Sequence, residues 1–393
     1  MAEAYIVAAT RTAGGRRGGR LSGWHATDLA AEVLNDVVDR AKADPNLIDD
    51  VIMGCVSQIG EQSTNVARNA VLASKLPESV PGTSIDRQCG SSQQAIHFAA
   101  QAVMSGFQDV VIASGVESMS RTPMFSPMIL AQKGGIAEHY MGPNIKERYP
   151  DIEFSQFMGA EMIAKKYGQS REDLYEFALK SHQRAIAATE AGRFDKEILP
   201  LQSRLQDGGP QDEMHRVDEG IRFDATLEGI ASVKLLQEGG FINAAVASQI
   251  CDGATAVMVV SEKGLKKLGV EPLARIHHMS VIGHDPVIML EAPIPATQQA
   301  LKKAGLNIND IDLFEVNEAF APVPLAWLDV TGADPERLNV NGGAIALGHP
   351  LGASGTKLMT TLVHALHDRG GRYGLQTMCE GGGMANVTII ERL

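Results

Sequence analysis

The sequence predicts an α/β protein, and three observations carry that prediction. Glycine is abundant, 40 of 393 residues, while aromatics make up only 5%, which fits many tight strand-to-helix turns better than a β-sandwich. Short apolar runs of strand length recur along the chain. Two helical patterns are each closed by glycine and followed by another such run. A chain of this length buries a large core and is expected to form two or three domains.

Taken in order, Tyr5 to Ala8 reads as the first buried strand. Cys89 ends a second, in Ser84-Ile85-Asp86-Arg87-Gln88-Cys89-Gly90-Ser91-Ser92. Gly90 to Ser105 is apolar almost all round and predicts a helix buried on every side. Gly106 stops it, and Asp109 to Ala113 is the next strand. Residues 120 to about 248 break this alternation: a Met- and Pro-rich stretch (Met119, Met124, Met128, Met141) precedes polar helices. Ser170-Arg171-Glu172-Asp173 has the form of a capping box that opens one of them. Excursions of this length are lids or linkers, and the helical periodicity favours a folded lid.

Asp312 to Val316 reads as a strand, and Asn317-Glu318-Ala319-Phe320 follows it. A glycine-rich loop, Asn341 to Pro350, then leads to a helix over Gly355 to Asp368 with Leu358, Met359, Leu362, Val363 and Leu366 on one stripe. Gly370 and Gly371 close that helix. Tyr373 to Met378 and Ala385 to Ile390 are the last strands, separated by Cys379-Glu380-Gly381-Gly382-Gly383. Each half therefore reads strand, reactive loop, glycine, helix, glycine, strand, the order of an internal duplication.

Composition excludes several functions. The formal charge of −12 argues against nucleic-acid or anionic-membrane binding, so an anionic ligand would need a local cluster of Lys and Arg. Four cysteines (55, 89, 251 and 379) without CxxC spacing argue against a disulfide framework or structural zinc, and no metal site is expected. A reducing cytoplasm is the expected compartment, because the first residues lack a signal-peptide pattern and no apolar run has membrane-span length.

A free cysteine is by default an inert buried residue. A strand–Cys–Gly-Ser-Ser–helix context instead favours a nucleophile, with the helix N-terminus expected to depress the Cys89 thiol and to supply N–H groups to an oxyanion. His349, set among Gly342, Gly343, Gly348, Gly352 and Gly355, is expected to hydrogen-bond that thiol and to donate to a thioester oxygen. Cys379 could move protons beside it, and Gly381 to Gly383 could present a second set of N–H groups. Asn317, at a strand's C-terminal end, could hold a water or a carbonyl oxygen. Cys55 and Cys251 read as structural. Neither Gly14 to Gly19 nor Gly348 to Gly355 matches a phosphate loop.

On these segments the chain resembles the thiolases nearly end to end. Arg87 to Ser92 (RQCGSS), Asn317 to Phe320 (NEAF), Gly342 to Gly355 and Cys379 to Gly383 (CEGGG) stand in family order. The resemblance implies the thiolase fold: two duplicated βαβαβαββ halves in a five-layer αβαβα arrangement with an inserted loop domain. The implied boundaries are 1–119 with 249–272, then 120–248, then 273–393. It implies an acylated Cys89, an acid/base Cys379, an oxyanion hole of His349 and Asn317 (through a water), and a second from the N–H groups of Cys89 and Gly381. Arg222 matches an arginine at the nucleotide part of coenzyme A, Ser248 a serine at its pantetheine, and Met158 and Met289 methionines of the acyl pocket. Coenzyme A and acetyl-CoA are implied as substrates, with no permanently bound cofactor, and the chain as a homodimer or homotetramer.

Departures from the family pattern bear on the substrate. Phe157-Met158-Gly159 stands for the frequent HMG, Met289-Leu290-Glu291-Ala292-Pro293 for MGxGP, and Leu235-Leu236 for a Pro-Phe under the pantetheine. Glu291 is expected to face either the acyl group or solvent. Ser155-Gln156-Phe157 and Gly371 to Cys379 look most like thiolases of actinobacterial steroid-ring degradation. The expected activity is thiolytic cleavage of a 3-ketoacyl-CoA, in fatty acid or steroid degradation. The alternatives are a biosynthetic acetyl-CoA acetyltransferase and a non-catalytic CoA- or lipid-binding protein on the same fold.

Overall fold

The computed structural model describes residues 2–136, 139–207 and 209–393. Its first half contributes β1 (Tyr5–Thr12), β2 (Asp50–Gly54), β3 (Gly82–Ile85), β4 (Val110–Ser118) and β5 (Cys251–Val260), with α1 (Ala26–Ala41), α2 (Val66–Ala73) and α3 (Ser91–Ser105). Between β4 and β5 the chain makes α4 (Gln156–Lys166), α5 (Arg171–Glu190) and a hairpin of Leu201–Leu205 with Gly209–His215. The second half contributes β6 (Ala274–Gly283), β7 (Leu313–Val316), β8 (Tyr373–Glu380) and β9 (Met384–Arg392), with α6 (Pro293–Ala304), α7 (Pro322–Thr331) and α8 (Ser354–Arg369).

The halves repeat the same pairing. β2 and β4 run parallel, as β7 and β8 do. β4 and β5 are antiparallel, as β8 and β9 are, and β5–β1 matches β9–β6. Even the irregularity recurs: the register shifts between Ile6 and Ala8 in β1 and between Ile276 and His278 in β6. A parallel bridge of Phe314 to Leu338 stands where the first half has the β2–β3 ladder. The two sheets meet edge to edge through Tyr5 with Arg275 and Ile6 with Ala274.

Three apolar clusters separate five layers. On β4 and β5 the period-2 alternation of a strand sends Val110, Ile112, Met258 and Val260 towards α1 and α2. The same alternation sends Val111, Ala113, Val257 and Val259 towards α3 and α8. On the far sheet Leu375, Val387 and Ile389 pack outward against Ile294, Leu301 and Trp327 of α6 and α7. Helices α3 and α8 thus form the middle layer, covered on both sides, as the all-round apolar pattern of α3 predicts. Each fully buried Ile or Leu here contributes roughly 1.5–3 kcal/mol of hydrophobic stabilisation.

Other expectations meet the structure with small changes. Gly106 adopts φ +82 at the C-cap of α3, and Ser170 with Asp173 forms the capping box of α5. β3 ends at Ile85, short of Cys89, because the chain turns at Asp86 to Gly90 before entering α3. β2, β5 and β6 were not legible as apolar runs: β5 opens with Cys251-Asp252-Gly253, and β6 carries His277, His278 and Ser280.

Candidate active site

The turn that carries Cys89 is built by short-range bonds. Gly90 N–H donates to Arg87 O and Ser91 N–H to Gln88 O, both at 3.0 Å, while Arg87 N–H donates to Ser91 Oγ at 2.9 Å. Gln88 takes φ +49 to close it. Gly90 is dictated by contact: a Cβ there would lie 1.9 Å from Oε1 of Glu380. Cys89 is left half-buried at the mouth of α3.

Its thiol is pushed up to about 12, first by burial and then by Glu380. The expected depression is therefore overturned. Two of the amides at the turn are spent on Arg87 O and Gln88 O, and burial of the sulfur, with the Glu380 carboxyl adding to it, outweighs the helix dipole.

Cys379 arrives from the other end of the chain, on β8, where it pairs with Ala385. It is buried, and burial followed by the neighbouring Cys89 drives its thiol well above the ordinary value. Gly382 and Gly383 take φ +84 and +76 to make the hairpin turn, and Gly381 packs on the Gln88 side chain. The two thiols and the Gly381 turn thus share one place.

His349 leaves its loop after Gly348, which has φ +80 and seats against Cys251 Sγ. Its Nδ1 bonds Ser354 Oγ at 2.5 Å, and Ser354 donates on to Pro350 O at 2.9 Å. Its Nε2 faces Asn317 Nδ2 at 3.4 Å. Among the described residues no hydrogen bond joins His349 to Cys89, contrary to expectation, since Ser354 and Asn317 engage both ring nitrogens. Burial, then Lys357, lowers the imidazole to about 3, so it is neutral at pH 7. Asn317 is fixed by its N–H to Thr377 O at 3.1 Å, while its buried Oδ1 has no partner among the described residues.

Three buried side chains that sequence reasoning missed hold these loops. Glu318 accepts from Ser181 Oγ, Asn339 Nδ2 and Ile345 N–H at 2.7, 2.9 and 3.1 Å. Glu117 accepts from Val56, Ser57 and Gly352 N–H groups at 2.9–3.1 Å. Lys357 Nζ donates to Leu347 O at 2.5 Å and Gly348 O at 3.3 Å. Most of their partners lie on other segments of the chain, so no local spacing announces them. Glu318 could have been suspected as a carboxylate inside a strand-end motif.

A groove of about 400 Å³, lined by His182, Arg222, Thr226, Ala247, Gln249 and Ile345, lies beside this centre. Arg222 is exposed and forms no ion pair among the described residues; its N–H donates to His182 Nδ1 at 3.2 Å. Ser248 N–H donates to Ala319 O at 2.9 Å and Ala321 N–H to Val246 O at 2.9 Å. The groove wall is thereby bonded to the segment that carries Asn317.

On the other side, Phe157 of α4 meets Phe320 edge to face at 5.6 Å. Met158 beside it is exposed, and Gly159 lets α4 approach Ile288 O to 2.7 Å from its would-be Cβ. Met289 is buried at φ +54. Glu291 corrects the expectation made for it, since it faces neither solvent nor an open wall. It is buried, accepting from Lys166 Nζ at 2.5 Å, Tyr167 Oη and His284 Nε2 at 3.2 Å. Burial opposes its ionisation, yet these three donors hold it below the ordinary carboxylate value.

Similar proteins match along the whole chain. Residues 4–263 match the N-terminal domain of thiolase and residues 270–392 the C-terminal domain. A steroid 3-ketoacyl-CoA thiolase of Mycobacterium tuberculosis is 53% identical over 398 residues, spanning 100% of this chain and 95% of that protein. A 3-ketoacyl-CoA thiolase of Cronobacter sakazakii is 41% identical over 100% of both. The crystal structure of human mitochondrial 3-ketoacyl-CoA thiolase superposes with a TM-score of 0.88 at 38% identity, over 100% of this chain and 99% of that one. The same human enzyme in complex with CoA matches equally. With repeated halves, four motifs converging at one centre and whole-length relatives, the chain belongs to the thiolase family and is an acyltransferase.

Proposed function

We propose that the protein cleaves a 3-ketoacyl-CoA with coenzyme A, giving acetyl-CoA and a shortened acyl-CoA, in fatty acid or steroid degradation. The observation that carries this reading is the approach of Cys379 to Cys89 with the His349–Asn317 pair tied to the Cys379 strand through Asn317 N–H and Thr377 O, beside a groove that offers the exposed Arg222. Cys89, as thiolate, bonds to the 3-keto carbon while the C2–C3 bond breaks. Cys379 gives its S–H proton to C2, and acetyl-CoA leaves. The incoming CoA thiol then gives its proton back to Cys379, and its sulfur takes the acyl group from Cys89.

His349 is neutral, so it would serve this sequence as a hydrogen-bond donor at Nε2 rather than as a cation. That tautomer needs the Ser354 hydroxyl proton turned onto Nδ1. Together with Asn317 it would stabilise one oxyanion, and the N–H groups of Cys89 and Gly381 the other. Arg222 would meet the phosphates of coenzyme A, Ser248 its pantetheine, and Met158 and Met289 the acyl group. No permanently bound cofactor enters the reaction.

The substrate reading is a medium-chain or ring-bearing acyl group rather than acetoacetyl. Supporting it are the aromatic Phe157 and the Leu290-Glu291-Ala292 stretch in place of two glycines, and the identity with a steroid-named relative. Steady-state thiolysis across chain lengths and a polycyclic 3-ketoacyl-CoA tests it, with higher kcat/KM expected for the larger substrates. A clear preference for acetoacetyl-CoA would refute the substrate reading and favour biosynthetic condensation. Incubation with acetyl-CoA and peptide mapping tests the nucleophile: the acyl group is expected on Cys89, and acylation of Cys379 alone would overturn the assignment.

A further inference from the structure

One carboxyl at this centre has no part in the reaction just described. Glu380 follows Cys379 on β8, and the strand's alternation turns its side chain to the opposite face, towards the mouth of α3. It is wholly buried there. Oε1 sits where a Cβ of residue 90 would be, 1.9 Å from that position, so the carboxyl lies on the backbone next to Cys89. Neither of its oxygens is paired with a side chain among the described residues; the Asn386 N–H stands near it without a full hydrogen bond. Buried carboxylates are ordinarily paired, and this one lies instead against the Gly90 backbone, close enough for its charge to bear on the adjacent Cys89 thiol.

We propose that Glu380 is a charge gate on the nucleophile: as a neutral carboxyl it permits the Cys89 thiolate, and as a carboxylate it holds that sulfur protonated. It acts through Cys89 and is a positioning residue, not a catalytic one. Around it stand Arg87 on the nucleophile turn, Cys89, Cys379 on its own strand and the Asn386 N–H of β9, while Asp86 and Glu117 of β4 bear on Cys89. Among the described residues Arg87 is the cation that bears on it; its Nη1 goes to Met384 Sδ at 3.6 Å and its Nε has no partner among them, so it offsets the carboxyl's charge from a distance without pairing.

The consequence has a definite sign. Burial raises the Glu380 carboxyl to about 8, Arg87 and the Asn386 N–H opposing less strongly. Below that pH the carboxyl is neutral, and the Cys89 thiolate grows about tenfold per pH unit. Above it, the second negative charge must form beside the first, so thiolate formation stalls until far higher pH. One proton leaves the pair at the lower step and one at the upper.

The test is the rate of Cys89 alkylation by iodoacetamide from pH 6.5 to 9.5, with peptide mapping to exclude Cys379. Between pH 8 and 9.5 the unmodified protein should gain less than about threefold, and Glu380→Gln more than about tenfold. Glu380→Asp, which keeps the carboxyl, should restore the levelling. Superimposable profiles for the unmodified protein and Glu380→Gln would overturn the gate. Should Glu380→Gln fail to fold, the unmodified profile still decides: an unbroken tenfold rise per pH unit through pH 9.5 refutes it. The catalytic meaning of the gate rests on Cys89 being the nucleophile. Because alkylation reads the thiol without turnover, failure of that reading and failure of the gate remain distinguishable.

Discussion

The same connection is made twice in this molecule, at opposite extremes of length. In both halves a strand leads to its antiparallel neighbour, β4 to β5 and β8 to β9. The first half takes residues 119–250 to do it, the second only Gly381–Gly383. The short connection leaves Cys379 and Glu380 at the strand end, pressed on the nucleophile turn. The long one builds the groove with Arg222 and reaches back to the Asn317 segment through Ser248 and Ala321. Duplication supplied two equivalent strand ends, and the proposed chemistry and the proposed ligand groove fall to different ones, the short connection and the long.

If the chemistry lies at the short connection and the Cys89 turn it presses on, substitutions there should cost the most. Cys89→Ala is expected to abolish acylation and to lower thiolysis by at least about 10³-fold, measured by intact mass and steady-state rates. Cys379→Ala should still acylate Cys89 from acetyl-CoA yet turn over orders of magnitude more slowly. Near-normal turnover in either variant would break the division.

The next largest effect should come from the seam between the long connection and the core. Arg11 of β1 is completely buried, with Nε to Glu197 at 2.6 Å and its fork on Asp218 at 2.8 and 3.1 Å. Lys357 joins at 3.6 Å from Asp218 while holding the Gly348 carbonyl beside His349. Arg11→Met strands two buried carboxylates and should destabilise by about 3–5 kcal/mol, read as a lowered denaturant midpoint. Loss of less than about 1 kcal/mol would mean that the excursion is anchored elsewhere.

How much of this was legible in the sequence follows the same boundary. Buried strands and the all-apolar α3 announce themselves through composition and period, and the reactive loops through glycine. Arg11 with Glu197 and Asp218, or Glu117 with Gly352, could not be read, because their spacing exists only once the sheet and the excursion have docked. The ionisation of Cys89 was misread for a related reason. Helix position is a local property, while the burial of the Cys89 sulfur and the opposing carboxyl of Glu380 come from segments distant in the chain.

A smaller effect should distinguish the middle layer from the rest. His97 of α3 bonds Thr388 Oγ1 at 2.8 Å and Asn386 Nδ2 at 3.1 Å, and burial lowers it to about 3. An unfolded histidine takes up a proton near pH 6.5. Protons thus favour the unfolded chain as pH falls below that value, and stability should drop by about 1.4 kcal/mol per pH unit for this residue down to the folded value. His97→Gln should flatten the slope of unfolding free energy between pH 6 and 4 by that amount. An unchanged slope would show that other groups carry the acid sensitivity.

The smallest expected effect belongs to the long connection itself. Arg222 is exposed and unpaired among the described residues, so removing its side chain leaves no buried partner stranded and should barely change stability. What it offers is a charge at the rim of the groove, where a phosphate would be met largely in solvent. Such a contact is made equally before and during bond breaking, so its loss is uniform binding lost. Arg222→Ala should raise KM for coenzyme A by about tenfold, equivalent to about 1.4 kcal/mol, with kcat within about twofold. The KM increase should shrink at high salt, as a screened exposed charge requires. If kcat falls with KM unchanged, the groove arm of the comparison is wrong: the excursion would then be shaping the thiol centre rather than holding the nucleotide end of the ligand.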